Sequence, residues 1–133
     1  MANMREPVKC LLIDDDKDDF EIFKLALSET NHNIQLSYSS TGPEAIDKLR
    51  QGPPYQLSPD LIFIDLNMPR MNGKQCLEAI RQIDRLKDTR VFIYSTSADS
   101  RIVEESHALG ATGFIVKPSN FKKLVDMLNE LIG

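Results

Sequence analysis

The sequence has few of the residues that build disulfide frameworks, metal clusters or phosphate-binding loops. Its two cysteines, Cys10 and Cys76, lie far apart and outside any metal-ligand spacing, which favours a reduced cytosolic protein. Its six glycines are scattered, so a glycine-rich loop for a nucleotide or flavin is not expected. No apolar run approaches the length of a transmembrane helix, and the N-terminus has no apolar signal segment. These absences predict a soluble cytoplasmic protein with no membrane partner.

The chain also lacks an excess of basic residues. It carries 16 lysines and arginines against 20 acidic residues, and its formal net charge is −4. Such a balance provides no positive surface for nucleic acid or for an anionic membrane. The 133 residues have the length of one ordinary domain. We therefore predict a single domain over residues 1–133, with a core from about residue 8 to residue 132, and no nucleic-acid partner.

Five short runs rich in β-branched and aromatic residues predict five strands. They are Val8–Ile13, Ile34–Ser39, Leu61–Asp65, Arg90–Ser95 and Gly113–Lys117.

Between and after these runs, apolar residues recur with the period of a helix. The sets are Phe20, Phe23, Ala26 and Leu27; Ala45, Ile46 and Leu49; Cys76, Ile80 and Ile83; and Phe121, Leu124, Val125, Leu128, Leu131 and Ile132. A weaker helical pattern covers Ser100 to Leu109. Strict alternation of strand and helix predicts an α/β fold, a doubly wound parallel sheet with helices on both faces. The expected strand order is the flavodoxin-like 2-1-3-4-5.

Polar side chains follow four of the predicted strands at their carboxyl ends. Asp14 and Asp15 follow the first strand, Asp65 ends the third, Ser95 the fourth and Lys117 the fifth. In a doubly wound sheet these ends meet at one cleft. Three carboxylates facing one ammonium leave room for a hard divalent cation, and Mg²⁺ commonly joins carboxylates to a phosphoryl group. The sequence therefore predicts a magnesium site at this edge.

Other acidic residues near the first strand receive a simpler interpretation. Asp16, Asp18 and Asp19 are expected to be charges at the positive start of the first helix, and we leave them out of the site. The connection over residues 52–59 is rich in proline, which predicts a surface loop and not a domain linker.

Four segments together resemble a known family. "IDDD", "DLNMPRMNG", "YSTS" and "GFIVKP" occur in the order and at about the spacing of the receiver domains of two-component response regulators, from about Val8 to Ile132. The resemblance implies a stand-alone response regulator that accepts a phosphoryl group on Asp65 from a sensor histidine kinase with Mg²⁺. Its output would be a protein contact that changes on phosphorylation, with a downstream protein that the sequence does not identify.

Two longer segments narrow the resemblance. "DDDKDDFEIFKLAL" and "DLNMPRMNGKQCLEAIR" resemble especially the small receivers that serve bacterial phytochrome-type sensor kinases. A kinase of this type is therefore the expected phosphodonor. The sequence leaves open whether the protein forms a homodimer.

The resemblance assigns the phosphorylation and metal roles residue by residue. Asp65 is the phosphoacceptor and also a metal ligand, and Asp15 is a direct magnesium ligand beside it. Asp14 acts mainly through coordinated water, and the backbone carbonyl of Asn67 completes the ligands from the protein.

The resemblance also assigns the residues that respond to phosphorylation. Lys117 pairs with the phosphoryl group, and Ser95 donates its hydroxyl to it. Ser95 is preferred over Thr96 because Lys117 follows Ser95 by 117 minus 95, or 22 positions, the usual interval in the family. Phe114 lies where the family usually carries an aromatic residue that changes rotamer on activation.

Two other functions are alternatives, and each would require a feature that this sequence does not have. A phosphatase with an aspartyl nucleophile, of the haloacid-dehalogenase type, carries a second aspartate two positions after the nucleophile, where this chain has Asn67. A pseudo-receiver used as a scaffold lacks part of the acidic and lysine set, which is intact here. We therefore expect no enzymatic activity beyond the protein's own Mg²⁺-dependent phosphorylation and dephosphorylation.

Overall fold

The computed structural model describes residues 6–52 and 57–133 of the chain. These residues contain a five-stranded sheet with the order β2-β1-β3-β4-β5, in which all neighbouring strands run parallel. The strands are β1 (Val8–Ile13), β2 (Ile34–Ser39), β3 (Leu61–Asp65), β4 (Arg90–Ser95) and β5 (Gly113–Val116). The predicted α/β fold and strand order are confirmed. The fifth strand ends one residue earlier than predicted, so Lys117 lies just beyond it.

Helices connect the strands on both faces of the sheet. They are α1 (Lys17–Ser28), α2 (Gly42–Arg50), α3 (Gly73–Arg81), α4 (Ser100–Ala108) and α5 (Phe121–Ile132). Ile83 was expected to extend the apolar face of the third helix, but it lies beyond the end of α3. There the chain turns into a short 3₁₀ helix at Asp84–Leu86, and Ile83 still packs against the core.

Polar residues fix where each helix begins. A side-chain oxygen at the N-cap accepts hydrogen bonds from backbone N–H groups of the first turn that would otherwise lack partners. The N-caps are Asp16, Thr41, Asn72, Asp99 and Asn120. At α3 the cap is reciprocal, because the backbone N–H of Asn72 donates to the side chain of Gln75 at 3.0 Å. Local sequence therefore sets the starts of helices that leave the strand ends.

The sheet separates two hydrophobic cores. One core lies between the sheet and α2, α3 and α4, and it contains Cys76. The other lies between the sheet and α1 and α5, and it contains Cys10. Every residue of β3 is buried, since Ile62 and Ile64 face the first core while Leu61 and Phe63 face the second. Among the described strands, β3, which carries Asp65, is the one that is buried along its whole length.

The loop predicted over residues 52–59 includes residues 53–56, which lie outside the described residues. Among the residues that the structure does describe, no helix is both long enough and apolar enough to span a bilayer.

Candidate functional site

The carboxyl ends of β1, β3 and β5 bring three aspartates and one lysine together. The Lys117 Nζ atom lies 3.1 Å from an Asp14 carboxylate oxygen and 3.9 Å from one of Asp65. Asp14, Asp15 and Asp65 each place a carboxylate oxygen within 4.8 Å of the others. Asp14 and Asp65 are buried, and Asp15 is exposed. The cleft therefore concentrates negative charge at one edge of the sheet, with Lys117 as its counter-ion.

Asp65 is held by the turn that follows it. The backbone N–H of Asn67 donates to its carboxylate at 3.4 Å, and that of Gly73 donates to the Leu66 carbonyl at 2.9 Å. A Cβ atom at Gly73 would lie 2.7 Å from the Asp65 carbonyl oxygen, so only glycine allows the start of α3 to approach this closely. Arg70 completes the turn with a positive φ of 68°. The Asp65 carboxylate is thus positioned by the backbone contacts of this turn.

Burial dominates the electrostatics of Asp65. It raises the pKa of this carboxyl from 3.8 to about 7, and the charge of Asp14 adds to the rise. The ammonium of Lys117 acts in the opposite direction and lowers the pKa, but it does not compensate for burial. Without a further cation, Asp65 therefore holds its negative charge at a considerable free-energy cost near neutral pH.

Asp14 uses both of its carboxylate oxygens within the protein. One accepts a hydrogen bond from the Asp16 backbone N–H at 2.9 Å, and the other accepts from Lys117. Burial raises the pKa of Asp14, although these two partners oppose the rise. The Tyr38 hydroxyl donates to the Asp14 carbonyl at 2.7 Å, and the Tyr38 ring stacks on Phe20 with centroids 4.1 Å apart. Asp14 is therefore held by a hydrogen bond from β2, and the β2 residue that donates it packs in turn against α1.

Lys117 has a third carboxylate partner. Its Nζ atom lies 2.7 Å from a carboxylate oxygen of Asp19, which is closer than either Asp14 or Asp65. Burial alone would lower the pKa of Lys117, but the hydrogen bond to Asp19 and the charges of Asp14 and Asp65 raise it above its ordinary value. The ammonium also lies 5.2 Å from the centroid of the Tyr94 ring. Lys117 is thus permanently charged and enclosed.

The structure corrects the interpretation of Asp19 as a helix charge without a role in the site. Asp16 is indeed the N-cap of α1 and Asp18 is exposed, but the Asp19 carboxylate pairs with the ammonium of Lys117. Its position gave no local signal of this contact, because an aspartate in the first turn of a helix is favoured there whether or not it meets a lysine. Tyr38 was also missed, although the rule that sites form at strand ends applies to β2 as well.

Comparison with known proteins identifies the family of this fold. Residues 10–129 match the family described as the response regulator receiver domain. The chain belongs to this family.

Its relatives include response regulators of similar length. Response regulator Rcp1 of Synechocystis sp. is 31% identical over 134 residues, which cover 98% of this chain and 91% of Rcp1. The crystal structure of the phosphorylated cyanobacterial phytochrome response regulator RcpA matches with a TM-score of 0.84 at 29% identity, covering 95% of this chain and 91% of RcpA. The Mn²⁺-bound form of Rcp1 matches with a TM-score of 0.81 at 29% identity, covering 94% and 91%.

One similar protein is an enzyme. A protein-glutamate methylesterase/protein-glutamine glutaminase of Methanospirillum hungatei is 34% identical over 124 residues, or 93% of this chain. The chain spans only 35% of that protein, about a third of its length. The similarity is therefore confined to about a third of the methylesterase, and it gives no reason to assign esterase activity to this chain.

The acidic cluster of this receiver domain has the composition of a site for a hard divalent cation. Asp14, Asp15 and Asp65 offer only carboxylate oxygens, which Mg²⁺ prefers, and the exposed Asp15 leaves one side open to water. Three carboxylates with Lys117 as their shared ammonium leave negative charge that a cation would offset, and burial raises the pKa of Asp65 although Lys117 lowers it. The residues present therefore fit a bound magnesium ion.

Ser95 and Phe114 lie on β4 and β5, the two strands beyond β3. Ser95 ends β4 and is fully buried, and its carbonyl accepts a hydrogen bond from the Lys117 backbone N–H at 2.6 Å. Its hydroxyl accepts a long hydrogen bond of 3.5 Å from the Ser97 backbone N–H. Phe114 pairs with Ile93 in the sheet, is half-buried, and packs against the core beneath α3 and α4. Ser95 thus lies at the carboxyl end of β4 beside Lys117, whereas Phe114 lies within β5 against the core.

Proposed function

We propose that this receiver domain, over residues 1–133, accepts a phosphoryl group on Asp65 from the phosphohistidine of a sensor histidine kinase in a Mg²⁺-dependent reaction. One observation carries the proposal. Asp65 ends a buried strand within reach of both a carboxylate cluster suited to magnesium and the ammonium of Lys117. This arrangement supplies a nucleophile together with positive charge for the group that it receives.

In the proposed reaction, a carboxylate oxygen of Asp65 attacks phosphorus. The P–O bond forms as the P–N bond to the donor imidazole breaks, and the bonding electron pair stays on the leaving nitrogen. Lys117 pairs with an oxygen of the transferred group. Asp15, Asp65 and the Asn67 carbonyl would hold Mg²⁺ directly, with Asp14 acting through coordinated water. The bound ion would neutralise charge on the phosphoryl oxygens. The product is an acyl phosphate that water later hydrolyses.

The proposed partner is a kinase of the phytochrome type. The similarity to the cyanobacterial phytochrome response regulator RcpA, over most of both chains, supports this choice. The output would be a change in contact with a downstream protein on phosphorylation. A phosphatase with an aspartyl nucleophile is less well supported, because Asn67 stands where such an enzyme has its second aspartate. A scaffold that is not phosphorylated is also less well supported, because Asp14, Asp15, Asp65 and Lys117 are all present.

The proposal is tested with a small phosphodonor. Incubation with acetyl phosphate and MgCl₂ should add one phosphoryl group, stable in acid and labile in base, and a chelator should prevent the reaction. Intact-protein mass spectrometry follows the reaction, and peptide mapping locates the group. Incorporation that is unaffected by the chelator, or that lies outside the peptide of Asp65, would refute the proposal.

The metal site leads to a prediction that separates two adjacent aspartates. Asp15→Asn should abolish most Mg²⁺ affinity, whereas Asp14→Asn should weaken it by only about tenfold, because a residue acting through water contributes less than a direct ligand. The structure supports this order, since both Asp14 oxygens already accept hydrogen bonds within the protein. Isothermal titration with MgCl₂ measures both variants. Wild-type affinity in Asp15→Asn would place the metal elsewhere.

A second prediction concerns the response to phosphorylation. A phosphoryl oxygen on Asp65 would give the Ser95 hydroxyl a better partner than its 3.5 Å contact with Ser97, drawing the end of β4 inward and releasing Phe114 to change rotamer. Ser95→Ala should still be phosphorylated, but its amide NMR shifts around Phe114 and α4 should change much less than in wild type. Ser95→Thr keeps the hydroxyl and serves as the matched variant. Full-sized shifts in Ser95→Ala would remove Ser95 from the switch.

A further inference from the structure

We propose that Asp19 is a positioning residue for phosphoryl transfer, holding the Lys117 ammonium so that one of its N–H groups faces Asp65. This inference rests on the proposed function, because it concerns the same reaction. It adds a residue of α1 to a site otherwise built from strand ends and the turn after β3.

The distances around the ammonium carry the argument. A lysine ammonium has three N–H donors. Two are directed by Asp19 at 2.7 Å and Asp14 at 3.1 Å, and these contacts fix the rotation of the group. The third partner is Asp65 at 3.9 Å, which is too long for a hydrogen bond. Among the described residues the third N–H therefore makes no hydrogen bond, so it is available to an oxygen of a phosphoryl group attached to Asp65.

Asp19 suits this role better than Asp14 does. Asp14 belongs to the carboxylate cluster that fits magnesium, whereas Asp19 lies outside that cluster of three. Asp19 can therefore keep its contact with Lys117 whatever the cluster binds. Its backbone is fixed as well, because its N–H donates to the Asp16 side chain at 3.3 Å.

Lysine needs such a partner for a general reason. Its four-carbon stem is flexible, and a side chain of this type loses substantial conformational entropy when it is held in one geometry. The Lys117 side chain is only 13% exposed, but burial by neighbours such as the Tyr94 ring does not by itself direct the N–H groups of its ammonium. Asp19 supplies the directional contact from α1 that selects the productive geometry before the phosphodonor arrives.

The test compares two neighbouring aspartates. Asp19→Asn and Asp18→Asn remove the same charge from the same helical turn, but only Asp19 contacts Lys117. The initial rate of phosphorylation by acetyl phosphate with MgCl₂ should fall about tenfold in Asp19→Asn and stay within about twofold of wild type in Asp18→Asn, as expected for loss of one charge-assisted hydrogen bond. In a Lys117→Ala background, Asp19→Asn should have no further effect. A rate in Asp19→Asn equal to or above that of Asp18→Asn would overturn the proposal, as would an equal fall without Lys117.

A second measurement needs no phosphodonor and no metal. In protein labelled with ¹⁵N-lysine, the Lys117 ammonium should give a slowly exchanging, shifted NMR signal in wild type and in Asp18→Asn, and this signal should be lost in Asp19→Asn. An unchanged signal in Asp19→Asn would overturn the role of Asp19 whatever the phosphorylation result. A wild-type protein that takes up no phosphoryl group would instead refute the proposed function, so the two failures are distinguishable.

Discussion

Asp65→Asn is expected to incorporate no phosphoryl group from acetyl phosphate and MgCl₂, while wild type incorporates one. An amide lacks the anionic oxygen that attacks phosphorus, and nothing else in the cleft replaces it in the proposed reaction. Asparagine has nearly the same shape as aspartate, so the turn from Leu66 to Gly73 should be preserved. Mass spectrometry of the intact protein measures the loss.

The chain contains a matched control at the other end of the same strand. Asp60 precedes β3 at its opposite end, where its carboxylate accepts a hydrogen bond from the Lys9 backbone N–H at 2.9 Å. Asp60→Asn should be phosphorylated like wild type, since it lies a full strand length from the site. Phosphorylation that persists in Asp65→Asn and disappears in another aspartate variant would move the acceptor.

The stability of the metal-free protein should fall as pH rises from about 4 to about 7. Burial raises the pKa of Asp65 from 3.8 to about 7, and the pKa of Asp14 is raised as well. In this range the unfolded chain loses protons that the folded protein retains, so ionisation favours unfolding. Lys117 stays charged throughout because its pKa lies above its ordinary value. For Asp65, the loss has an upper limit of about 4 kcal/mol.

Urea unfolding followed by circular dichroism, in chelator and between pH 4 and 8, measures this slope. Asp65→Asn removes the main titrating group, so its stability should depend less on pH and should exceed that of wild type at pH 8. Mg²⁺ should restore much of the wild-type stability at pH 8, because it binds the ionised carboxylates of the folded state. A wild-type stability that is constant or rises from pH 4 to 7 would show that Asp65 is not held in a costly ionised state.

The fold was largely predictable because its signals are local. Each strand is a short run of β-branched or aromatic residues, and each helix begins at a polar cap, so their order along the chain is enough to predict the parallel sheet. The grouping of Asp14, Asp65 and Lys117 at one edge followed from the topology. The boundary error at Ile83 arose because the chain turns before its apolar pattern ends, whereas β5 ends with its apolar run at Val116, one residue before the predicted limit.

The contacts that sequence reasoning missed depend on partners distant along the chain. Asp19 pairs with a lysine 98 positions away, and an aspartate in the first helical turn has the same local pattern whether it faces solvent or an ammonium. Tyr38 lies 24 positions from the Asp14 carbonyl that accepts its hydrogen bond. Such contacts are determined by how α1 and β2 lie against the strand ends, which a single sequence does not specify.

The division of the core by the sheet gives the protein two internal reporters of unfolding. Cys10 lies on the side of α1 and α5, and Cys76 lies on the side of α2 and α3. Burial raises the pKa of both thiols to about 12, so neither presents a reactive thiolate while its layer stays closed. Alkylation of Cys10 therefore reports local opening of one helical layer, and alkylation of Cys76 reports opening of the other. The ratio of the two rates would show which layer of the sandwich separates first from the sheet.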